Sequence, residues 1–217
     1  MANNVKVVNN AEKDVVVTIN KENEDIQIVI DLAGNKVELS TVDAGKVIKG
    51  KTGREYIVFK RKDNDSSMIL KKELLDNDMR FDNDCNNLIT SSLLKYLHDT
   101  YIKEIEEDFG ADSIVPHETD LLSLDGLDDY KTTLNLVSLL TIDDYRYARK
   151  NKIIKKNMDR SWWLATPDST PSGYGSGSVR CVSSDGRVGY DGYDWDHGVR
   201  PFFALKSSIL VSCSEIC

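Results

Sequence analysis

The chain has 217 residues, of which 40% are hydrophobic and 29% charged, and its formal net charge is −8 at pH 7. This is enough apolar material for one full domain with a packed core and a smaller unit beside it. The acidic excess argues against a nucleic-acid partner and against an anionic membrane surface, since neither finds a basic face to bind.

Met1-Ala2-Asn3-Asn4-Val5-Lys6 lacks the apolar stretch of a secretory leader, and no segment reaches bilayer-spanning length. The expectation is a protein made and folded in a cytoplasm, with release by lysis left open. Cys85, Cys181, Cys213 and Cys217 form no Cys-x-x-Cys pair, so they read as scattered free thiols rather than a zinc knuckle or disulfide framework.

Residues 1–41 read as a small β unit for attachment or oligomerisation. Val5-Lys6-Val7-Val8, Asp14 to Ile19, Ile26 to Leu32 and Val37-Glu38-Leu39 are β-branched runs separated by short polar connectors such as Ala33-Gly34-Asn35-Lys36. A larger domain is expected over 42–212. Val42 to Ile48 opens it, and Glu55 to Arg61 is a strand with Ser67 to Lys72 as its hairpin mate across Lys62-Asp63-Asn64-Asp65.

Between Leu88 and Phe109 the period changes to that of a helix. Ile89, Leu93, Leu97, Tyr101 and Ile105 fall four apart, and Leu94, Ile102 and Phe109 widen the stripe. Asn86 or Asn87 is placed to cap the start and Gly110 to stop the helix, with Lys103, Glu104, Glu106, Glu107 and Asp108 on the polar face. His98 reads as a boundary histidine. His117 and Glu118 are an acid–base pair by type, but as neighbours in a loop they read as solvated. Val137 to Leu140 is a strand that runs into a short helix capped by Thr141, with Asp143 and Asp144 in its first turn.

From Ser161 to Leu205 two apolar brackets enclose a polar, turn-rich middle. Trp162 and Trp163, two of the three tryptophans, are adjacent on a predicted strand and so point to opposite faces. Ser178 to Val182 and Val188 onward form a hairpin across Ser184-Asp185-Gly186-Arg187, read as a two-residue Asp-Gly connection. Gly173 to Gly177 reads as a flexible loop rather than a phosphate-binding turn. Tyr190 to His197 reads as an exposed loop, followed by a buried closing strand from Val199 to Leu205 and a tail at 213–217.

In this order, the Leu139-Leu140-Thr141-Ile142-Asp143-Asp144-Tyr145 helix start, Trp162 to Pro167, Ser184 to Val188 and Gly198-Val199-Arg200-Pro201 resemble a domain family of unknown function. That family occurs in gut Gram-positive bacteria and their phages, and is similar to C-type-lectin-like and formylglycine-generating-enzyme-like proteins. The resemblance covers about 42–212. It implies an α+β, C-type-lectin-like mixed fold with two helices and antiparallel hairpins, in which Trp162, Trp163, Arg200 and Pro201 are frame. Arg200 is then expected in a buried polar contact. Some members of this group are retroelement-diversified variable proteins, whose targeted codons yield the residue types found at Tyr190, Asp191, Tyr193, Asp194, Asp196 and His197.

The function this implies is non-enzymatic binding and display on a phage particle, as a capsid decoration or tail-tip receptor-binding protein. Its localisation would be the virion, with a bacterial cytoplasm as the alternative. Tyr174, Tyr190, Asp191, Tyr193, Asp194, Trp195, Asp196 and His197 are the candidate ligand-binding residues, because aromatics in a Gly/Ser/Asp setting combine contact area with adaptable hydrogen bonding. The expected partners are other virion proteins through the N-terminal unit and a host-surface glycan or protein; a homo-oligomer is compatible. A purely structural virion component is the alternative. No catalytic residue, cofactor or metal is assigned. The paired metal-binding cysteines of formylglycine-generating chemistry are missing. Asp191, Asp194 and Asp196 have oxygen-ligand spacing for calcium but read as a solvated acidic loop.

Overall fold

Strands made of consecutive apolar residues, rather than alternating polar and apolar ones, belong in a sheet covered on both faces. The computed structural model places four such runs at its centre. It describes residues 16–22, 25–31, 36–61, 65–155 and 157–213, with 16–31, 60 and 61 described by backbone alone. The predicted strand at Val5 to Val8 and the turn at 33–35 lie outside the described residues.

The main sheet is antiparallel and mixes distant parts of the chain. Its strands are β3 (Lys36–Glu38), β4 (Val47–Lys49), β5 (Glu55–Arg61), β6 (Ser66–Lys71), β8 (Ile114–Val115), β11 (Val137–Ser138), β16 (Phe202–Lys206) and β17 (Leu210–Cys213). The order across it is β11-β16-β6-β5-β4-β17-β3, and β8 also pairs with β16. The predicted β5–β6 hairpin forms, with Ile57 opposite Leu70.

The N-terminal strands β1 (Val16–Glu22) and β2 (Asp25–Asp31) form a separate two-stranded pair. Residues 36–38 do not join them; β3 lies against β17 in the main sheet. Cys213, read from the sequence as the start of a tail, is the last residue of β17 and pairs with Ile48. The remaining short strands are β7 (Met79–Arg80), β9 (His117–Asp120), β10 (Thr132–Asn135) and β15 (Asp196–His197). A three-stranded sheet is built from β12 (Trp162–Pro167), β13 (Ser178–Val182) and β14 (Val188–Gly192).

Alternate residues of the central strands enter two different cores. Tyr56, Val58, Ile69, Phe203 and Leu205 face the long helix, with Leu93, Leu97, Tyr101 and Ile105. Ile57, Phe59, Met68, Leu70, Phe202 and Ala204 face α3 (Ile142–Lys150), with Ile142, Tyr145 and Ala148. The fold is α+β, with strands predominating.

The long helix is one rod in three parts: α1 (Ser92–Tyr96), a π-helical turn (Leu97–Tyr101) and α2 (Ile102–Phe109). Ser91, not Asn86 or Asn87, caps it, accepting from the Leu94 amide at 3.0 Å. Asn87 caps the preceding 3-10 turn instead, which lifts Ile89 off the apolar stripe and leaves it 44% exposed. Gly110 stops the rod at φ +91°. In α3 the Thr141–Asp144 capping box forms as the sequence indicates. Among the described residues no helix is long and apolar enough to cross a membrane.

Two buried polar groups lie where the sequence pattern misleads or is silent. Asp108, counted on the polar helix face, is 2% exposed. It accepts from the Thr52 amide at 2.9 Å, from the Thr52 hydroxyl and from the Tyr56 hydroxyl at 2.6 Å, with Arg54 at 3.5 Å. A Cβ at Gly50 would collide with this carboxyl group, so the β4–β5 turn closes on the helix end only because position 50 is glycine. His117, read as a solvated loop residue, is 1% exposed on β9 and its Nε2 bonds the Ser138 hydroxyl at 2.8 Å. Glu118 points the other way, into solvent, so the pair is not a dyad.

Burial pushes the Asp108 carboxyl group's pKa up, but the bonds from Thr52 and Tyr56 and the Arg54 charge outweigh it and hold the value below the ordinary one. Its contribution to stability is therefore complete above about pH 4 and is lost as pH falls through the lower folded value. Asp108→Asn should cost about 1–3 kcal/mol in urea unfolding at neutral pH. The gap between wild type and variant should close on acidification.

Candidate functional site: an aromatic edge over a Cys–Asp–His cluster

The register of the three-stranded sheet determines what faces what. Trp163 lies opposite Cys181 and Cys181 opposite Gly189; Val179 pairs with Asp191 and Arg180 with Tyr190. Side chains alternate along a strand, so Trp163, Cys181 and Asp191 share the core-facing side, while Arg180 and Tyr190 share the other. The two strands are joined by a three-residue connection rather than the two-residue turn the sequence suggested. Gly186 alone takes positive φ (+85°), and Ser183 N–H donates to Arg187 O at 2.8 Å.

The predicted recognition loop is mostly not a loop. Tyr190 and Asp191 lie in β14, and Asp196 and His197 form β15, which pairs with Arg80 and Met79 of β7. Only Tyr193, Asp194 and Trp195 make the turn, closed by Trp195 N–H donating to Gly192 O at 3.1 Å. This divides the eight candidate residues. Tyr174, Tyr190 and Trp195 are 98%, 60% and 61% exposed, and Asp194 and Asp196 also face solvent. Asp191, Tyr193 and His197 turn inward and are partly buried.

The exposed aromatics stand on fixed supports. The Arg180 guanidinium lies 5.3 Å from the Tyr190 ring centroid and is itself ion-paired to Asp168. The Tyr193 carbonyl accepts from Phe81 N–H and Asp82 N–H, and its amide donates to Gly177 O. That last bond joins the Trp195 turn to the segment bearing Tyr174.

The Gly173 to Gly177 segment is pinned, contrary to its reading as a flexible loop. Ser169 donates to Asp125, Tyr174 N–H donates to the Ser169 hydroxyl, and Ser172 donates twice to Asp129. Asn86, weighed from sequence only as a cap, is fully buried and ties the two arms together. Its amide donates to Ser169 O at 2.8 Å and Ser178 O at 2.7 Å, and it accepts from Tyr130 at 2.7 Å. The bracing roles of Asp125, Asp129 and Asn86 escaped the sequence reading because Ser169, Ser172 and Tyr130, which they meet, lie more than forty positions away.

Beneath this edge, His197 Nε2 and an Asp191 carboxylate oxygen are 2.8 Å apart. One ligand-capable atom each from Cys181, Asp191 and His197 lies within 4.8 Å of the others. The His197 ring packs edge-on against Trp163, with centroids 4.4 Å apart. Burial pushes the Cys181 thiol up to about 11, so at neutral pH it is protonated, the opposite of an activated nucleophile. Asp194 and Asp196 are not part of this cluster, and Asp196 instead approaches Arg80 at 3.9 Å. The three aspartates therefore do not gather into a hard-cation site.

Trp162, Trp163, Arg200 and Pro201, beneath the site, are all buried. Trp162 enters the α3 core and Trp163 the other. Arg200, 1% exposed, donates to the carbonyls of Lys71 (2.9 Å) and Lys72 (2.7 Å) and lies over the Trp162 ring. Pro201 contributes its carbonyl to Lys71 N–H. At Gly198 a Cβ would press on Leu74 and the Ser161 carbonyl, which explains glycine before Val199.

Comparison with models of known families, with curated proteins and with solved structures finds no match for this chain.

Burial lowers the Arg200 pKa to about 10, which still leaves it charged at neutral pH. Arg200→Lys should cost about 2–4 kcal/mol in urea unfolding, because an ammonium cannot reproduce the planar fork on two successive carbonyls.

Proposed function

We propose that this protein is a non-enzymatic binding module that meets its ligand on the edge formed by Tyr174, Tyr190 and Trp195. The observation that carries the reading is the exposure of these three large aromatics on segments braced by Asn86, Asp125 and Asp129, with Arg180 against the Tyr190 ring. Exposed aromatics on rigid supports give contact area at low entropic cost. Asp194 and Asp196 beside them supply hydrogen-bond acceptors.

The ligand we propose is a host-surface glycan, whose sugar faces stack on tyrosine and tryptophan and whose hydroxyls donate to carboxylates. The setting we propose is a phage particle with a C-type-lectin-like display domain. Support for that setting comes from the order of motifs, from the Trp162-Trp163 strand to the Gly198-Val199-Arg200-Pro201 closure. The β1–β2 pair, too small to be stable alone, suits docking on other virion proteins.

Purified protein should bind host cell-wall glycan. Tyr174→Ala, Tyr190→Ala and Trp195→Ala should each weaken binding by about tenfold, with the melting temperature unchanged. Binding that survives the triple replacement would exclude this edge. Failure of the wild type to bind would favour a purely structural component.

A further inference from the structure

We propose that Cys181, Asp191 and His197 form a binding site for a zinc-type divalent transition-metal ion, with the fourth coordination position open to solvent on the Asp191 side. The site is distinct from the exposed edge and stands whether or not that edge binds glycan.

Three strands deliver the three side chains. Cys181 from β13 and Asp191 from β14 emerge on the same face, and the residue directly opposite Cys181 is Gly189, so no side chain separates thiol from carboxylate. His197 arrives from β15, and its ring is held from below. Trp163 packs against it, and the Trp163 indole N–H donates at 2.8 Å to the carbonyl of Met79, the residue paired with His197. A histidine oriented by its surroundings before the ion arrives is what metal sites require.

The spacing is close to what an ion needs. Tetrahedral zinc, with bonds of about 2.0–2.3 Å, sets its donor atoms about 3.3–3.7 Å apart. Here the His197 nitrogen and Asp191 oxygen are 2.8 Å apart and all three donors lie within 4.8 Å. Opening the first pair by about half an ångström, and drawing in any donor that lies beyond this range, would complete the arrangement. On binding, the Cys181 S–H bond breaks, its proton goes to solvent, and the sulfur's electron pair forms the metal–sulfur bond.

The donor set selects the ion. One sulfur, one imidazole nitrogen and one carboxylate oxygen suit zinc and its neighbours, whereas calcium and magnesium require several oxygens. Cys181 is 3% exposed, while the Asp191 side chain is 36% exposed. The thiolate would thus be sheltered and the carboxylate side open. Three protein ligands leave one position for water or for a donor atom of a bound molecule.

The test uses the full chain, reduced and stripped with a chelator, titrated with Co2+ as a spectroscopic substitute for Zn2+. The expected result is one equivalent bound, with a thiolate-to-cobalt charge-transfer band in the near ultraviolet and the visible bands of four-coordinate cobalt. Zn2+ should abolish both bands and raise the melting temperature. Cys181→Ser should remove the charge-transfer band, and Asp191→Asn and His197→Ala should each weaken Co2+ binding by about tenfold or more. Cys85→Ser and Cys213→Ser should leave the band in place. Absence of the band in the wild type, or its survival in Cys181→Ser, would overturn the site. Should Cys181→Ser not fold, unchanged Co2+ affinity in both Asp191→Asn and His197→Ala would overturn it equally.

Discussion

The adjacent pair Trp162-Trp163 is the constraint around which the two cores are arranged. Neighbouring strand residues cannot share a face, and both indoles are almost completely buried. Strand β12 must therefore sit where apolar space exists on both sides. It does so by lying beside the Gly198 segment, with Trp163 N–H donating to Gly198 O, and beside Leu140, which accepts from Ala165 N–H. From there Trp162 meets Tyr145 of α3 and Trp163 meets Phe81. The same logic governs Tyr56 to Phe59 and Phe202 to Leu205, so one doubly covered sheet holds the long helix against one face and α3 against the other.

Closing such a sheet requires burying polar groups, and the molecule does this with partners far apart in sequence. Among the described residues no carboxylate hydrogen-bonds Arg200; two backbone carbonyls and the Trp162 face receive it. Asp108 has a complete set of donors from the β4–β5 turn and Tyr56. A buried charge without such partners would be strongly unfavourable. Each group therefore acts as a registration peg as well as a contributor to stability: Arg200 aligns the closing segment with the end of β6, and Asp108 aligns the long helix with β5.

The candidate surface inherits its rigidity from this frame. Tyr190 is an edge-strand residue backed by Arg180, and Trp195 projects from a turn anchored to Phe81 and Asp82 through Tyr193. Tyr174 extends from a segment braced by Asn86. The inward-facing Asp191 and His197 of the same stretch meet Cys181 of β13 in a sheltered sulfur–nitrogen–oxygen cluster, with His197 resting on Trp163. One stretch of eight residues thus presents some side chains to solvent and others inward, because β14 and β15 alternate their side chains.

Local patterning determined a good deal without help. The β5–β6 hairpin, the capping box of α3, the Gly110 stop and the opposed tryptophans follow from period, cap chemistry and backbone freedom within a few residues of one another. The outward aromatics were legible too, as Tyr and Trp among Gly, Ser and Asp. What local pattern could not supply was pairing over distance. It read Tyr190 to His197 as a loop because the partner of β15 lies more than a hundred residues earlier, at Met79–Arg80. It put Asp108 and His117 in water because their hydrogen-bond partners are on segments distant in sequence. It left Cys213 outside the fold because β17 is completed by strands near the other end of the chain. Side-chain period is a property of a few consecutive residues, whereas burial of a polar group depends on which distant backbone arrives to meet it, and only the folded chain brings that backbone into place.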